Sequence, residues 1–119
     1  MAALLVDTDV FVDHLRGFRQ LRPGRHRLHY SVVTRCELFA GTFETATIQR
    51  LLSSFRELRV DRAVAERAGR IRRETRIGTP DALIAATAIE RRMTLVTRNL
   101  KDFGSVKQLR FRRPGESSP

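Results

Sequence analysis

An α/β fold is what this sequence predicts: a three-layer α/β/α sandwich around a short, mainly parallel sheet of four to five strands. Two patterns carry that expectation. Short apolar runs such as Ala2–Val6 read as strands covered by helices on both faces. Between them lie longer stretches with helical spacing, such as Ile48, Leu51, Leu52 and Phe55, and this alternation argues for parallel strands. At 119 residues and 41% hydrophobic content, the chain closes one core and is too short for two ordinary domains. Residues 1–111 are therefore expected as a single domain, and 112–119, with Pro114-Gly115 and Ser117-Ser118-Pro119, as a frayed tail.

The elements follow in order. After the first strand, Val10–Leu15 reads as a short helix or turn, and Gly17–Arg27, holding Pro23-Gly24 and several arginines, as a basic loop. His29–Val32 is a second strand. A helix from Thr34 carries Leu38 and Phe39 and stops at Gly41. Thr45–Phe55 is a further helix, and Leu58–Val60 a third strand. Asp61 caps a helix that turns Ala63, Val64, Ala68 and Ile71 inward and its arginines to water. Gly78-Thr79-Pro80 restarts the chain into an alanine-rich helix over Asp81–Arg92. Thr94–Thr97 is a fourth strand and Leu109–Phe111 a marginal fifth. Ligands of such sheets bind beyond the carboxyl ends of the strands. If strands one and four are neighbours, Asp7 and Thr97 open onto one crevice.

The formal charge is +10, and lysine occurs only at Lys101 and Lys107, so the basic surface is almost wholly arginine. Guanidinium forks pair with phosphate oxygens and point to a polyanionic partner, although an Arg-rich composition by itself equally fits simple solubility. Cys36 is the only cysteine, which excludes an internal disulfide and a thiolate metal cluster and fits a reducing, cytoplasmic setting. The first six residues carry no basic side chain before Asp7, unlike a signal peptide, and no apolar run approaches the roughly 20 residues that span a bilayer. His14, His26 and His29 lack zinc-ligand spacing, and no glycine-rich phosphate loop is present.

With only 13 acids in the chain, those placed at segment ends stand out. Asp7 closes an apolar strand, where an unpaired carboxylate is costly unless a cation or donors meet it; capping the next turn is its plainer role. Asp9 and Asp13 read as surface acids or arginine partners. Glu37 completes Thr34-x-x-Glu37, which is also a capping box. Asp81 is either a site acid or a first-turn acid behind an N-cap at Thr79 and Pro80 at N1. The segment from Thr94 to Phe103 offers Thr97, Asn99 and Asp102, which complete a pocket or merely form a turn. Both readings stay open for that segment.

Taken together, Val6-Asp7-Thr8-Asp9-Val10-Phe11-Val12-Asp13, Ser31–Gly41 with Thr34-Arg35-Cys36-Glu37, Pro80-Asp81-Ala82-Leu83-Ile84 and Leu95-Val96-Thr97-Arg98-Asn99-Leu100-Lys101-Asp102-Phe103 resemble the PIN-domain ribonucleases, in particular the VapC toxins of bacterial toxin–antitoxin pairs. The resemblance spans residues 3 to 104, with the motifs in family order. It implies that Asp7, Glu37 and Asp81 bind Mg²⁺ or Mn²⁺ and that Thr97 is the hydroxyl beside the site. Where the family often has a fourth acid this chain has Asn99, with Asp102 three residues on as a substitute. A parallel sheet between helices, a homodimer and a VapB-like antitoxin are implied as well. The activity implied is RNA hydrolysis by a metal-activated water, with Arg16, Arg19, Arg22 and Arg98 as the arginines placed to hold the RNA backbone.

Two other classes compete. Asp7-Thr8-Asp9-Val10 after a strand also resembles the nucleophile motif of haloacid-dehalogenase-like phosphotransfer enzymes, though Lys101 and Asp102 are poor matches for that family's later residues. A receiver-like domain using Asp7, Asp61 and Thr97 would leave Glu37 and Asp81 without a role; a phosphoaspartate would mark either. A non-catalytic basic RNA-binding module would use the acids only as caps and arginine partners.

Overall fold

Side-chain alternation along the first strand sets up the layers. In β1 (Ala3–Val6), Leu4 and Val6 pack on one face of the sheet and Leu5 on the other. This computed structural model describes residues 3–22, 24 and 26–115; Ala2 of the expected first strand, Pro23 of the basic loop and 116–119 of the tail lie outside it.

Along the chain, α1 (Thr8–Leu15) leads to β2 (Arg27–Ser31), α2 (Val32–Ala40), α3 (Thr45–Leu52) and β3 (Arg56–Leu58). Then α4 (Arg62–Glu74) and α5 (Thr79–Glu90) precede β4 (Thr94–Val96), α6 (Leu100–Phe103) and β5 (Phe111–Arg112). The five strands pair in the order β3-β2-β1-β4-β5, all parallel. Leu4, Val6, Leu28, Tyr30 and Val96 meet Val10 and Phe11 of α1, Leu38 of α2 and Ile48 and Leu52 of α3. Leu5 and Leu95 meet Val64, Ala68 and Ile71 of α4 and Ile84, Ala85 and Ala88 of α5. The expected α/β/α sandwich is thus observed, with a sheet that is wholly rather than mainly parallel. After β1 the chain moves one way to β2 and β3, then crosses back over the opposite face to β4. The cleft between the ends of β1 and β4 is the point where strand order reverses, and ligands bind such sheets there.

Several boundaries differ from expectation, each for a local reason. Val32 leaves the second strand because Ser31 Oγ accepts from Val33 N at 3.0 Å and caps α2, which starts two residues before Thr34. Phe55 is outside α3, which ends at Leu52, and the third strand falls at Arg56–Leu58 rather than 58–60. Gly78 is the N-cap of α5, so Thr79 is its first residue and Pro80 its second. Asp61 does cap α4, its Oδ1 accepting from Val64 N at 2.9 Å, but Ala63 is exposed. The last strand takes in Arg112, which had been assigned to the tail. Gly17, at φ +77, ends α1 in the left-handed conformation that only glycine adopts at little cost.

Candidate metal centre

Strand register delivers the first two residues. Leu4, Leu5 and Val6 lie beside Thr94, Leu95 and Val96, and Asp7 N continues the ladder by donating to Val96 O at 2.9 Å. One step further, Thr97 Oγ1 donates to Asp7 Oδ2 at 2.8 Å and Thr8 N donates to Asp7 Oδ1, also at 2.8 Å. Asp7 is therefore both the N-cap of α1 and a carboxylate only 4% exposed at the cleft. The capping account and the site account are both met by the same side chain.

Other acids gather around it. Asp9 Oδ2 accepts from Arg98 N at 3.1 Å and, more weakly, from Thr97 Oγ1 at 3.4 Å; its Oδ1 is buried with no hydrogen-bond partner. Asp81 is half-buried in the first turn of α5. Glu37 stands on α2, its Oε1 accepting from Thr8 Oγ1 at 2.6 Å. The Thr34–Glu37 capping box does not form: Ser31 caps the helix, and the fully buried Thr34 bonds Thr8 instead.

The carboxylates feel one another. Burial, with the charges of Asp9 and Asp81 added, pushes the Asp7 carboxyl up from 3.8 to about 8 against the opposing bonds from Thr97 and Thr8. The Asp81 carboxyl is raised by burial and then by Glu37, Asp102 and Asp9, while burial raises that of Asp9. Asp7, Glu37 and Asp81 thus lie within electrostatic reach in one region, the charge of Asp81 acting on Asp7 and that of Glu37 on Asp81. Among the described residues, no three such side chains already form a ready-made ion cage. The donor set nevertheless fits a hard divalent cation, because it offers only oxygens, carries excess negative charge and leaves Asp9 Oδ1 uncommitted in a buried place.

Asn99 and Asp102 are largely occupied with each other. Asn99 caps α6, its Nδ2 donating to Asp102 Oδ2 at 3.0 Å, so the turn reading of this segment holds for both side chains, although the Asp102 charge still reaches Asp81. Arg98 pairs with Asp13, Nε to Oδ2 at 2.6 Å, which makes Asp13 the arginine partner it was expected to be. Arg16, Arg19 and Arg22 are exposed. Arg19 and Arg22 rim a separate cavity of about 350 Å³, floored by Leu4, Val6 and Val96 on the α1 side of the sheet. Asp9 is a neighbour of Arg98 rather than a surface acid, being partly buried, and Thr8 is a site residue that the sequence reading does not single out. Only the short spacing in Asp7-Thr8-Asp9 hints at either, since their side-chain partners lie 26 and more residues away.

A wholly parallel five-stranded sheet ordered 3-2-1-4-5 between two helical layers, with acids gathered at its switch point, defines the class of α/β protein to which the chain belongs. The chain belongs to the PIN domain family, whose model matches residues 4–109. It is 40% identical to Ribonuclease VapC10 of Mycobacterium tuberculosis over 127 aligned positions, covering 94% of this chain and 96% of that protein. Among solved structures, a toxin-antitoxin complex from Klebsiella pneumoniae contains a chain 29% identical, with a TM-score of 0.74 and coverage of 96% and 99%. The fold also matches a chain of VapBC2 from Rickettsia felis, solved bound to a promoter DNA fragment, at a TM-score of 0.80 and 22% identity over 93% and 98% of the two chains.

Proposed function

We propose that this protein is a metal-dependent endoribonuclease acting in the cytoplasm as the toxin of a VapBC-type pair, a homodimer held in check by a VapB-like antitoxin. The observation that carries the reading is the buried Asp7 carboxylate, bonded by Thr97 and crowded by further acids at the strand switch point of a PIN-family chain.

Asp7, Asp81 and Asp9 would hold Mg²⁺ or Mn²⁺, with Glu37 joining directly or through water. When bound, such an ion lowers the pKa of a coordinated water and polarises a phosphate, so that no histidine base is needed. The protein's own part is positioning. Thr97 keeps Asp7 Oδ2 in place, and its hydroxyl oxygen is itself fixed by Asn99 N at 3.0 Å. Glu37 has one oxygen held by Thr8 and presents the other toward the ion, directly or through water. Arg16, Arg19 and Arg22 hold the RNA backbone, while Arg98, tied to Asp13, orders the mouth.

The test compares wild type, Asp7→Ala and Asp81→Ala on a mixed RNA, with Mn²⁺ and with chelator. Loss of cleavage in both variants and in chelator, with RNA binding retained, is expected. Equal cleavage by all samples rejects the site, and a trapped phosphoaspartate at Asp7 favours the phosphotransfer alternative. The antitoxin reading is tested by co-expression with the product of a short neighbouring reading frame, which should relieve toxicity.

A further inference from the structure

Thr8 ties together two of the acids from different elements, Asp7 through its backbone N–H and Glu37 through its hydroxyl. Its backbone N–H holds Asp7 Oδ1 at 2.8 Å, while its hydroxyl lies 2.6 Å from Glu37 Oε1 and 2.9 Å from Thr34 Oγ1. Proton counting sets the direction. Thr8 donates its single hydroxyl proton to Glu37 Oε1, so the Thr34 hydroxyl must be the donor to Thr8. Thr34 is 0% exposed, so no water competes for that bond. The chain of donation runs Thr34 to Thr8 to Glu37, ending in a short 2.6 Å bond.

We infer that Thr8, backed by Thr34, is the positioning residue that fixes Glu37 for cation binding, by engaging one lone pair of Oε1 and holding the carboxylate in one orientation with Oε2 left uncommitted to Thr8. The inference rests on the ligand reading above. Glu37 sits on α2, whereas Asp7 and Asp9 belong to the β1–α1 junction, and Thr8 and Thr34 make the side-chain hydrogen bonds that join these two elements at the cleft. A free glutamate would have to surrender side-chain entropy each time the ion bound; a glutamate already held by Thr8 has surrendered it on folding.

The test is calorimetric titration with Mn²⁺ alone, without RNA, on wild type, Thr8→Val, Thr8→Ser, Glu37→Gln and the Thr8→Val/Glu37→Gln double variant, each checked by urea midpoint for folding. Loss of a group that orients a ligand typically costs about 10–100-fold in metal affinity. Thr8→Val should weaken Mn²⁺ binding by about 10-fold in that range, Thr8→Ser should restore it, and the double variant should be no worse than Glu37→Gln. Thr34→Val, nearly isosteric and apolar, should weaken it in the same direction. Thr8→Val binding like wild type while Glu37→Gln is weakened overturns the relay and leaves the ligand reading standing, as does an additive double variant. Wild type that binds no Mn²⁺ overturns the ligand reading and the relay with it.

Discussion

Thr97 reaches across the β1–β4 cleft to donate its hydroxyl proton to Asp7 Oδ2 at 2.8 Å, joining residues 90 apart in the sequence. Both side chains are buried, so this bond offsets part of the cost of a carboxylate in the interior. Thr97→Val keeps the shape and removes the donor. Activity should fall about 10–100-fold, as for other groups that orient a metal ligand, while RNA affinity stays within about 2-fold. Single-turnover rates at saturating RNA would check this; an unchanged rate would contradict it.

The Asp7 carboxyl, at about 8 in the fold against 3.8 for the free group, makes a pH prediction with a definite sign. A raised value means that folding favours the protonated form. Its stabilising contribution is complete below the unfolded value near 4 and is lost as pH rises through about 8. The raised Asp9 and Asp81 carboxyls act in the same direction. In chelator, stability should therefore drop from pH 5 to pH 8.5. Asp7→Asn removes the ionisation and should raise Tm at pH 8.5 by about 4 °C or more, the shift for 1 kcal/mol in a domain of this size. Thermal melts at the two pH values decide it, and destabilisation by Asp7→Asn at pH 8.5 would go against the argument.

A divalent ion should reverse that penalty. Mn²⁺ at 100 times its dissociation constant stabilises by roughly 2.7 kcal/mol through mass action. The rise in Tm should be larger at pH 8 than at pH 5, where protons compete for the same oxygens. Asp9→Asn should reduce the shift, because it takes one charge from the carboxylate whose Oδ1 lacks a partner. Equal shifts in Asp9→Asn and wild type would remove Asp9 from the ligand set.

Asp61 provides the contrast. It caps α4 through Val64 N and pairs at 3.6 Å with the exposed Arg91, which ends α5 at the opposite end of that helix from Asp81. Asp61→Ala should cost about 1 kcal/mol, the usual worth of such a cap, read as a lower urea midpoint with cleavage unchanged. Lost cleavage in a folded Asp61→Ala protein would revive the receiver-like reading.

The exposed arginines make an electrostatic prediction. Arg16→Ala and Arg22→Ala should each weaken RNA binding and lower the dependence of log affinity on log salt by about one contact's worth, near 0.7 for single strands. Arg98→Ala acts otherwise, because it releases Asp13 from a 2.6 Å pair as well as removing a charge. Binding measured across salt concentrations separates the two cases.

What this sequence determined by itself is the layered α/β architecture and the acids worth watching. Apolar runs such as Leu4-Leu5-Val6 and the helical spacing of Val64, Ala68 and Ile71 are local patterns, and burial on one or two faces writes them directly into the chain. The tertiary structure alone decided which polar groups meet. Thr34 and Glu37 have the spacing of a capping box, yet Ser31 takes the cap while both turn to Thr8, 26 and 29 residues away. Asn99 and Asp102 close a turn on each other while the Asp102 charge still reaches Asp81, and Asp9 is drawn to the same cleft by Arg98 N. The physical reason is that a local pattern records what water excludes, whereas a hydrogen bond between distant residues exists only after strands β1 and β4 have set their register and the space between them has been closed.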